Sequence, residues 1–484
     1  MVEEVKVNYE ELKFKSGLEI HQQLDTNKLF CDCPSFLRSD EPDFEVSRRL
    51  HAVAGESGKV DVAAKYQAGL NKEFIYRGYH DNTCLIELDE EPPKEINKDS
   101  LKIGLQIALL LNCKIQPITQ IMRKTVIDGS NTGGFQRTVL IARDGYLDTS
   151  EGRVGIDTVC LEEDSARKIK SEKGKIYWNL DRLGIPLIEI ATAPDIKSGE
   201  QAKEAALFMG DVLRSCKVRR GIGTIRQDVN ISIRDENRVE MKGVQDMKMF
   251  LKTVDNEVLR QKKLSDEKKP VGEEVRNALA DGKSEFLRPL PGSDRMYPET
   301  DLPLLKISLN MINDAKKDMP KLRSVIQGEL KKKGLSEDNI RLLFKMNRVE
   351  EFKSLLDVMD NTNLIAKILL TYPKEIAGKL GKSFEETEVL VSDYYGDILR
   401  ALNKKKISEG DIKTVLMSVA EGKKFEDAIR IEKADLGDVE EKVMKIIKEK
   451  PGLNANAYMG LVMKEFKGKI DGKTAMELIG KFLK

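Results

Sequence analysis

The chain is poor in the residue types that usually advertise a site. Its 484 residues include three histidines and one tryptophan, so a histidine-rich metal centre is excluded, and any imidazole set beside an acid stands out. Six cysteines, two of them in Cys31-Asp32-Cys33, are too few and too unevenly spaced for the disulfide framework of a small secreted domain. No long apolar run is present: the stretch Leu105 to Leu111 is far shorter than a membrane span. The N-terminus opens on acids rather than on a basic leader. These absences point to a cytoplasmic protein with no membrane partner. Charge of one sign is lacking too. Lysine and arginine number 82 against 81 acids, so a nucleic-acid surface has to come from local segregation of charge. Several motifs are missing as well: a Rossmann fingerprint, a nucleophile elbow and a Cys-x-x-Cys pair. Gly381-Lys382-Ser383 imitates the end of a P-loop, but Ile376 stands where that motif needs glycine.

What is present falls into regions. From the N-terminus to about residue 305 the sequence mixes short β-branched runs, glycine-rich turns and a few helices, which predicts an α+β domain. From 306 onward it is nearly continuous amphipathic helix, divided at about residue 437 into a helical domain over 306–436 and a tail over 437–484. Ser198 with Gln201 and Ser383 with Glu386 carry the capping-box signature ahead of apolar stripes. Lys262 to Glu274 is polar and unpatterned, and predicts a connection or a helix end. Glu441 to Lys484 holds ten lysines and five acids, a basic face suited to a phosphate backbone, although solvated lysine-rich helices look the same.

Chemistry-bearing side chains recur with the period of a strand. In Ser16 to Gln22, Glu19 and His21 point to one side and Leu18 and Ile20 to the other. Pro186-Leu187-Ile188-Glu189-Ile190 sets one carboxylate in an apolar strand, where it needs a cation or a metal. Asp228 to Arg234 alternates and turns back through Asp235 to Asn237, so Val239 and Met241 face the core. Asp228, Asn230, Ser232 and Arg234 then lie beside Glu240 and Lys242 on a face suited to a nucleotide and its cations. Glu162-Glu163-Asp164 crowds three acids that repel unless cations offset them. A carboxylate group with His21 suits magnesium. Asp128 to Thr138 is a glycine-rich stretch able to line a phosphate or a carbonyl. Cys31, Cys33 and Cys84 offer zinc three thiolates, one ligand short of a closed structural site.

Taken together, Gly17 to His21, Leu161 to Asp164, Pro186 to Ile190 and Asp228 to Lys242 resemble the GatB/GatE family. Asn82 to Pro93, Gly129 to Thr138 and Arg295-Met296-Tyr297-Pro298-Glu299-Thr300-Asp301 are closer to its archaeal-type GatE branch. In the tail, Val462 to Lys464 and Gly468 to Lys473 are similar to YqeY helical domains. The resemblance implies an antiparallel-sheet cradle like that of glutamine synthetase and guanido kinases, followed by helical domains. It places magnesium ligands on His21, Glu163 and Glu189, with Glu19 close by, and leaves Asp228, Asn230, Arg234, Glu240 and Lys242 as candidates for holding ATP or its cation.

The implied activity is ATP-dependent phosphorylation of the glutamate carried on tRNA(Gln), followed by amidation. Ammonia would come from an asparaginase-like amidase, GatD, in a heterotetramer of two GatD and two GatE chains. A broader enzyme acting also on aspartyl-tRNA(Asn), or a non-catalytic tRNA scaffold, are the competing expectations. Between Val258-Leu259-Arg260-Gln261 and Leu287-Arg288-Pro289, where members of the family carry an insertion similar to one in bacterial aspartyl-tRNA synthetases, only a short polar stretch is expected here.

Overall fold

The computed structural model describes residues 7–292, 295–430, 436–466 and 472–483. Gly468 to Asp471, part of the YqeY-like signature, lies outside the described residues. The chain divides into two compact units, at Arg323/Ser324.

The first unit opens with β1 (Lys15–Gln23), β2 (Phe44–Arg48), α1 (Val62–Ala68), β3 (Glu73–Gly78) and α2 (Lys98–Leu110). Next come β4 (Lys114–Ile115), β5 (Ile118–Thr119), β6 (Ile121–Thr125), β7 (Phe135–Thr149), β8 (Gly152–Glu163), β9 (Arg167–Glu172), β10 (Lys175–Asn179) and β11 (Pro186–Thr192). They are followed by α3 (Gly199–Ser215), β12 (Ile225–Ser232), β13 (Val239–Lys242), α4 (Phe250–Asp266), β14 (Glu274–Ala278) and β15 (Ser284–Pro289). The unit closes with β16 (Met296–Pro298), β17 (Leu305–Lys306) and α5 (Leu309–Lys317).

Among the described residues an eleven-stranded sheet runs in the order β15-β14-β13-β12-β1-β11-β8-β7-β6-β16, with β4 paired to β7 off that path. Its pairings are antiparallel except for β13 with β14, which are parallel and joined through α4. The fold is thus α+β, as the sequence predicts. Its core lies on one face, where Leu18, Ile20, Val159, Leu161, Ile188, Ile190, Val229 and Ile231 meet apolar residues of α2, α3 and α4. Period-two alternation sends the intervening residues to the opposite face, and that face is polar. A smaller sheet, β2-β3-β10-β9, has its own core around Phe74, Tyr76, Ile176 and Trp178.

Local signals explain the helix starts. Ser198 accepts the Gln201 amide at 2.9 Å, but the Gln201 side chain turns back to the Lys197 amide rather than to Ser198, so the expected box is only half closed. At Ser383 both hydrogen bonds of the box form. The polar stretch from Lys262 is the end of α4 and the connection after it.

The second unit is helical, with separate cores. One joins Ile340, Phe352, Ile368, Ile398 and Leu416; the other joins Val439, Val443, Tyr458, Val462 and Ile479. No helix among the described residues is long and apolar enough to cross a membrane.

Candidate functional site

The polar face of the large sheet gathers its groups by register. His21 on β1 lies opposite Glu189 on β11 and opposite Arg226 on β12, so the three side chains form one row across neighbouring strands. Glu19 faces Asp228 in the next row. His21 Nε2 is 3.2 Å from Glu189 Oε2 and 3.5 Å from Glu19 Oε1. One ligand atom from each of Glu19, His21 and Glu189 lies within 4.8 Å of the others.

Two groups not expected among the metal ligands complete this centre. Lys124, on β6, donates to Glu189 Oε2 at 3.2 Å and also contacts Glu162 of β8. Glu162 is 1% exposed, and its second oxygen, Oε2, is buried without a hydrogen-bond partner. A buried carboxylate oxygen of this kind is costly unless something positive meets it.

Glu163, expected among the metal ligands, is not brought there. It follows Glu162 in the same strand, so alternation turns it away, and its carboxylate is taken by Arg137 at 3.3 Å. Arg137 also donates to Glu299, which binds Arg123 through both oxygens. That assembly encloses a fully buried Glu299.

The electrostatics follow from crowding acids in a dry place. Burial raises the Glu19 carboxyl, and the nearby Glu189 raises it further. Glu162 is raised by the same two causes. Glu189 goes the other way: burial opposes its charge, but Lys124 and then His21 hold it well below the usual carboxylate range. Burial lowers the His21 imidazole, and the contacts with Glu189, Glu19 and Glu162 more than reverse this. The set is short of positive charge, and its oxygen and imidazole donors suit a divalent cation.

Beside it, Lys242 bridges Asp228 and Glu240 at 2.7 Å each, and the Gly243 amide also binds Asp228. Asn230 lies opposite Glu240, with a buried Oδ1 that finds no partner. These four expected residues are therefore together. Arg234 is not with them. It lies beyond β12 in the turn, with φ +52°, and pairs with Asp266 of α4 at 2.7 Å.

A second cluster lies at Cys31, Cys33, Cys84 and Glu87, with one ligand atom from each within 4.8 Å of the rest. Glu87 is the fourth donor that was missing. It accepts from Cys31 Sγ at 2.8 Å and from the Cys84 amide at 2.7 Å, with the fully buried Lys28 ammonium 3.5 Å away. Hydrogen bonds to Cys33 and Cys84 push the Cys31 thiol up, and its contacts with Cys31 and Cys33 pull Cys84 far down, so the trio favours one thiolate. The Cys84-x-x-Glu87 spacing was the available signal, because it copies the metal-binding Cys-x-x-Cys with a carboxylate in the second place. Three sulfurs and an oxygen fit zinc.

Residues 14–313 match the family model described as the GatB/GatE catalytic domain. The GatE-type glutamyl-tRNA(Gln) amidotransferase chain of Methanocaldococcus jannaschii is 35% identical over 632 aligned positions, covering 99% of this chain and 100% of that protein. Its counterpart in Methanothermobacter thermautotrophicus is 35% identical, covering 88% and 89%, and that of Archaeoglobus fulgidus is 33% identical, covering 99% of each. The 632 aligned positions far exceed the 484 residues here, so the Methanocaldococcus protein carries a long stretch with no counterpart in this chain.

Proposed function

The chain belongs to the GatB/GatE family, and from that premise we propose that it uses ATP to phosphorylate the γ-carboxylate of glutamate carried on tRNA(Gln), which ammonia then converts to glutamine. One observation supports the chemistry above the rest: Glu19, His21 and Glu189 converge on the open face, with an unpartnered Glu162 oxygen buried beside them. These four would hold magnesium, which when bound would offset the repulsion between a carboxylate and the γ-phosphate. A mere tRNA scaffold would have no reason to keep so many acids desolvated on one sheet. Asp228, Glu240, Lys242 and Asn230 are proposed to hold the nucleotide on the adjoining strands. The likeness of the cradle to glutamine synthetase and guanido kinases is part of this reading, and the sheet with one open polar face supports it.

No covalent link to the protein is needed. The chain's own groups orient the two reactants and stabilise charge. Ammonia is proposed to come from the GatD-type amidase in a paired heterotetramer, with the basic helical tail gripping the tRNA. Zinc at Cys31, Cys33, Cys84 and Glu87 would be structural, tying the β1 exit to the segment before α2.

The test is ADP formation by the chain with its amidase partner, ATP and magnesium. Turnover with glutamyl-tRNA(Gln), and not with aspartyl-tRNA(Asn) or uncharged tRNA, is expected. Equal turnover with aspartyl-tRNA(Asn) would make the enzyme a broader one, and binding without turnover would make it a scaffold.

A further inference from the structure

The open face is rich in acid, and its lysines are already committed. Lys124 is held by Glu162 and Glu189, and Lys242 by Asp228 and Glu240. A triphosphate approaching this surface meets crowded carboxylates with little positive charge left to receive it. Arg226 is not committed in that way. It stands directly abreast of His21 on β12, in the row that ends at Glu189, and its side chain is 37% exposed.

Its mounting is unusual for a half-exposed arginine. The guanidinium gives one nitrogen to Asp164 Oδ1 at 2.7 Å, and among the described residues no other acceptor engages it. Asp164 is itself 1% exposed and held from several sides. Gln23 of β1 donates to its Oδ2 at 2.6 Å, the Ser165 amide to its Oδ1 at 2.8 Å, and Arg182 lies 3.8 Å away. A buried and saturated carboxylate thus fixes one corner of the fork, while the remaining donors stay available beside the His21 centre. An arginine held in this way is pre-organised for two-point binding of a phosphate, and the loss of side-chain freedom is already met in the resting protein.

We infer that Arg226, aimed by Asp164, grips the phosphoryl group in transfer. The inference rests on the ATP-dependent reading above and adds to it the residue that receives the phosphate. In the step it serves, a γ-carboxylate oxygen of the glutamyl group forms a bond to the γ-phosphorus. The bond from that phosphorus to the β,γ-bridging oxygen breaks, and its electron pair leaves with ADP. Ammonia then adds through its lone pair to the acyl carbon, the carbon–oxygen bond to phosphate breaks, and phosphate departs with that pair as the nitrogen loses a proton to solvent. Arg226 meets the charge on the transferred oxygens in both steps and Asp164 is the positioning residue behind it.

The test uses the full chain with its amidase partner, glutamyl-tRNA(Gln), ATP, magnesium and ammonium chloride, measuring ADP release for the wild type, R226A, R226K and D164N. R226A is expected to lose about a thousandfold in kcat, with tRNA affinity and melting temperature unchanged. R226K keeps the charge but not the fork, and is expected to stay at least about tenfold down. Millimolar guanidinium ion is expected to restore part of the rate to R226A and none to R226K, a response that a merely structural role would not give. D164N is expected to lower kcat more than it raises KM for ATP. R226A turning over within about threefold of the wild type, or R226K at full rate, would overturn the inference while leaving the reaction assigned. A wild type that forms no ADP would sink the proposed reaction and this inference with it.

Discussion

Glu162 and Glu163 are neighbours in β8 with opposite allegiances: Glu162 joins Lys124 beside Glu189, and Glu163 is taken by Arg137. The alternation of one strand thus sends one carboxylate to the face of Glu19, His21 and Glu189 and the other to Arg137 and Glu299.

That division predicts two different phenotypes among three isosteric changes. Glu162→Gln and Glu189→Gln are expected to cut ADP formation by about a hundredfold or more while tRNA binding persists. Glu163→Gln should act on stability instead, because it leaves Arg137 with one fewer buried partner. Steady-state kinetics beside thermal melting separates the cases, and full activity in Glu162→Gln would falsify the assignment of that residue to the cation.

The fully buried Glu299 gives a pH dependence of known sign. Burial opposes its charge, but hydrogen bonds from Arg123 and Arg137 leave its carboxyl below the usual 4.5. A folded-state value under the unfolded one means that the stabilisation is complete above about pH 4.5 and is lost as the pH falls through the lower, folded value. Glu299→Gln should therefore be destabilised by about 3 kcal/mol at pH 7. Urea midpoints of the two proteins should converge in the acid range, and a gap that stayed constant down to about pH 3 would count against this account.

Metal content offers a third check. The purified chain is expected to carry about one zinc, and Cys84→Ser to lose it along with several degrees of melting temperature, since a closed site contributes directly to folding. Elemental analysis beside a melting curve decides it: a metal-free wild type that melts with the variant would show that the four side chains hold no ion.

In the helical unit, Ser383→Ala removes one half of a complete capping box at the start of the helix Phe384–Val391. The expected cost is about 1 kcal/mol, visible as faster amide exchange in its first turn. ADP formation should be unaffected.

Much of this was legible in the sequence, because alternation and burial are the same fact seen twice. Glu19, His21 and Glu189 stand out as polar residues in apolar strands, and Asp228, Glu240 and Lys242 as one face of a hairpin. What periodicity could not supply was pairing between distant strands. Lys124 sits in Ile121–Thr125, a strand whose pattern gives no hint that its lysine reaches Glu189, 65 residues away. Glu87 was hidden for the reverse reason, since a carboxylate near cysteines reads as surface acid until the fold buries it. Arg234 failed by one turn: the strand ends at Ser232, and the left-handed backbone beyond it carries the side chain to α4.

The row from Arg226 through His21 to Glu189, with Lys124 and Glu162 beside it, draws on β12, β1, β11, β6 and β8, elements spread from residue 15 to residue 232. No fragment short of that span can display the centre, and a one-residue slip of any contributing strand would turn its functional groups into the core. On the proposed reaction, the chain would therefore have no such centre during synthesis until β12 has emerged and docked against β1. A ribosome-bound intermediate with only its first hairpins folded would then neither bind the cation nor consume ATP, so turnover would report that these five strands have paired in register.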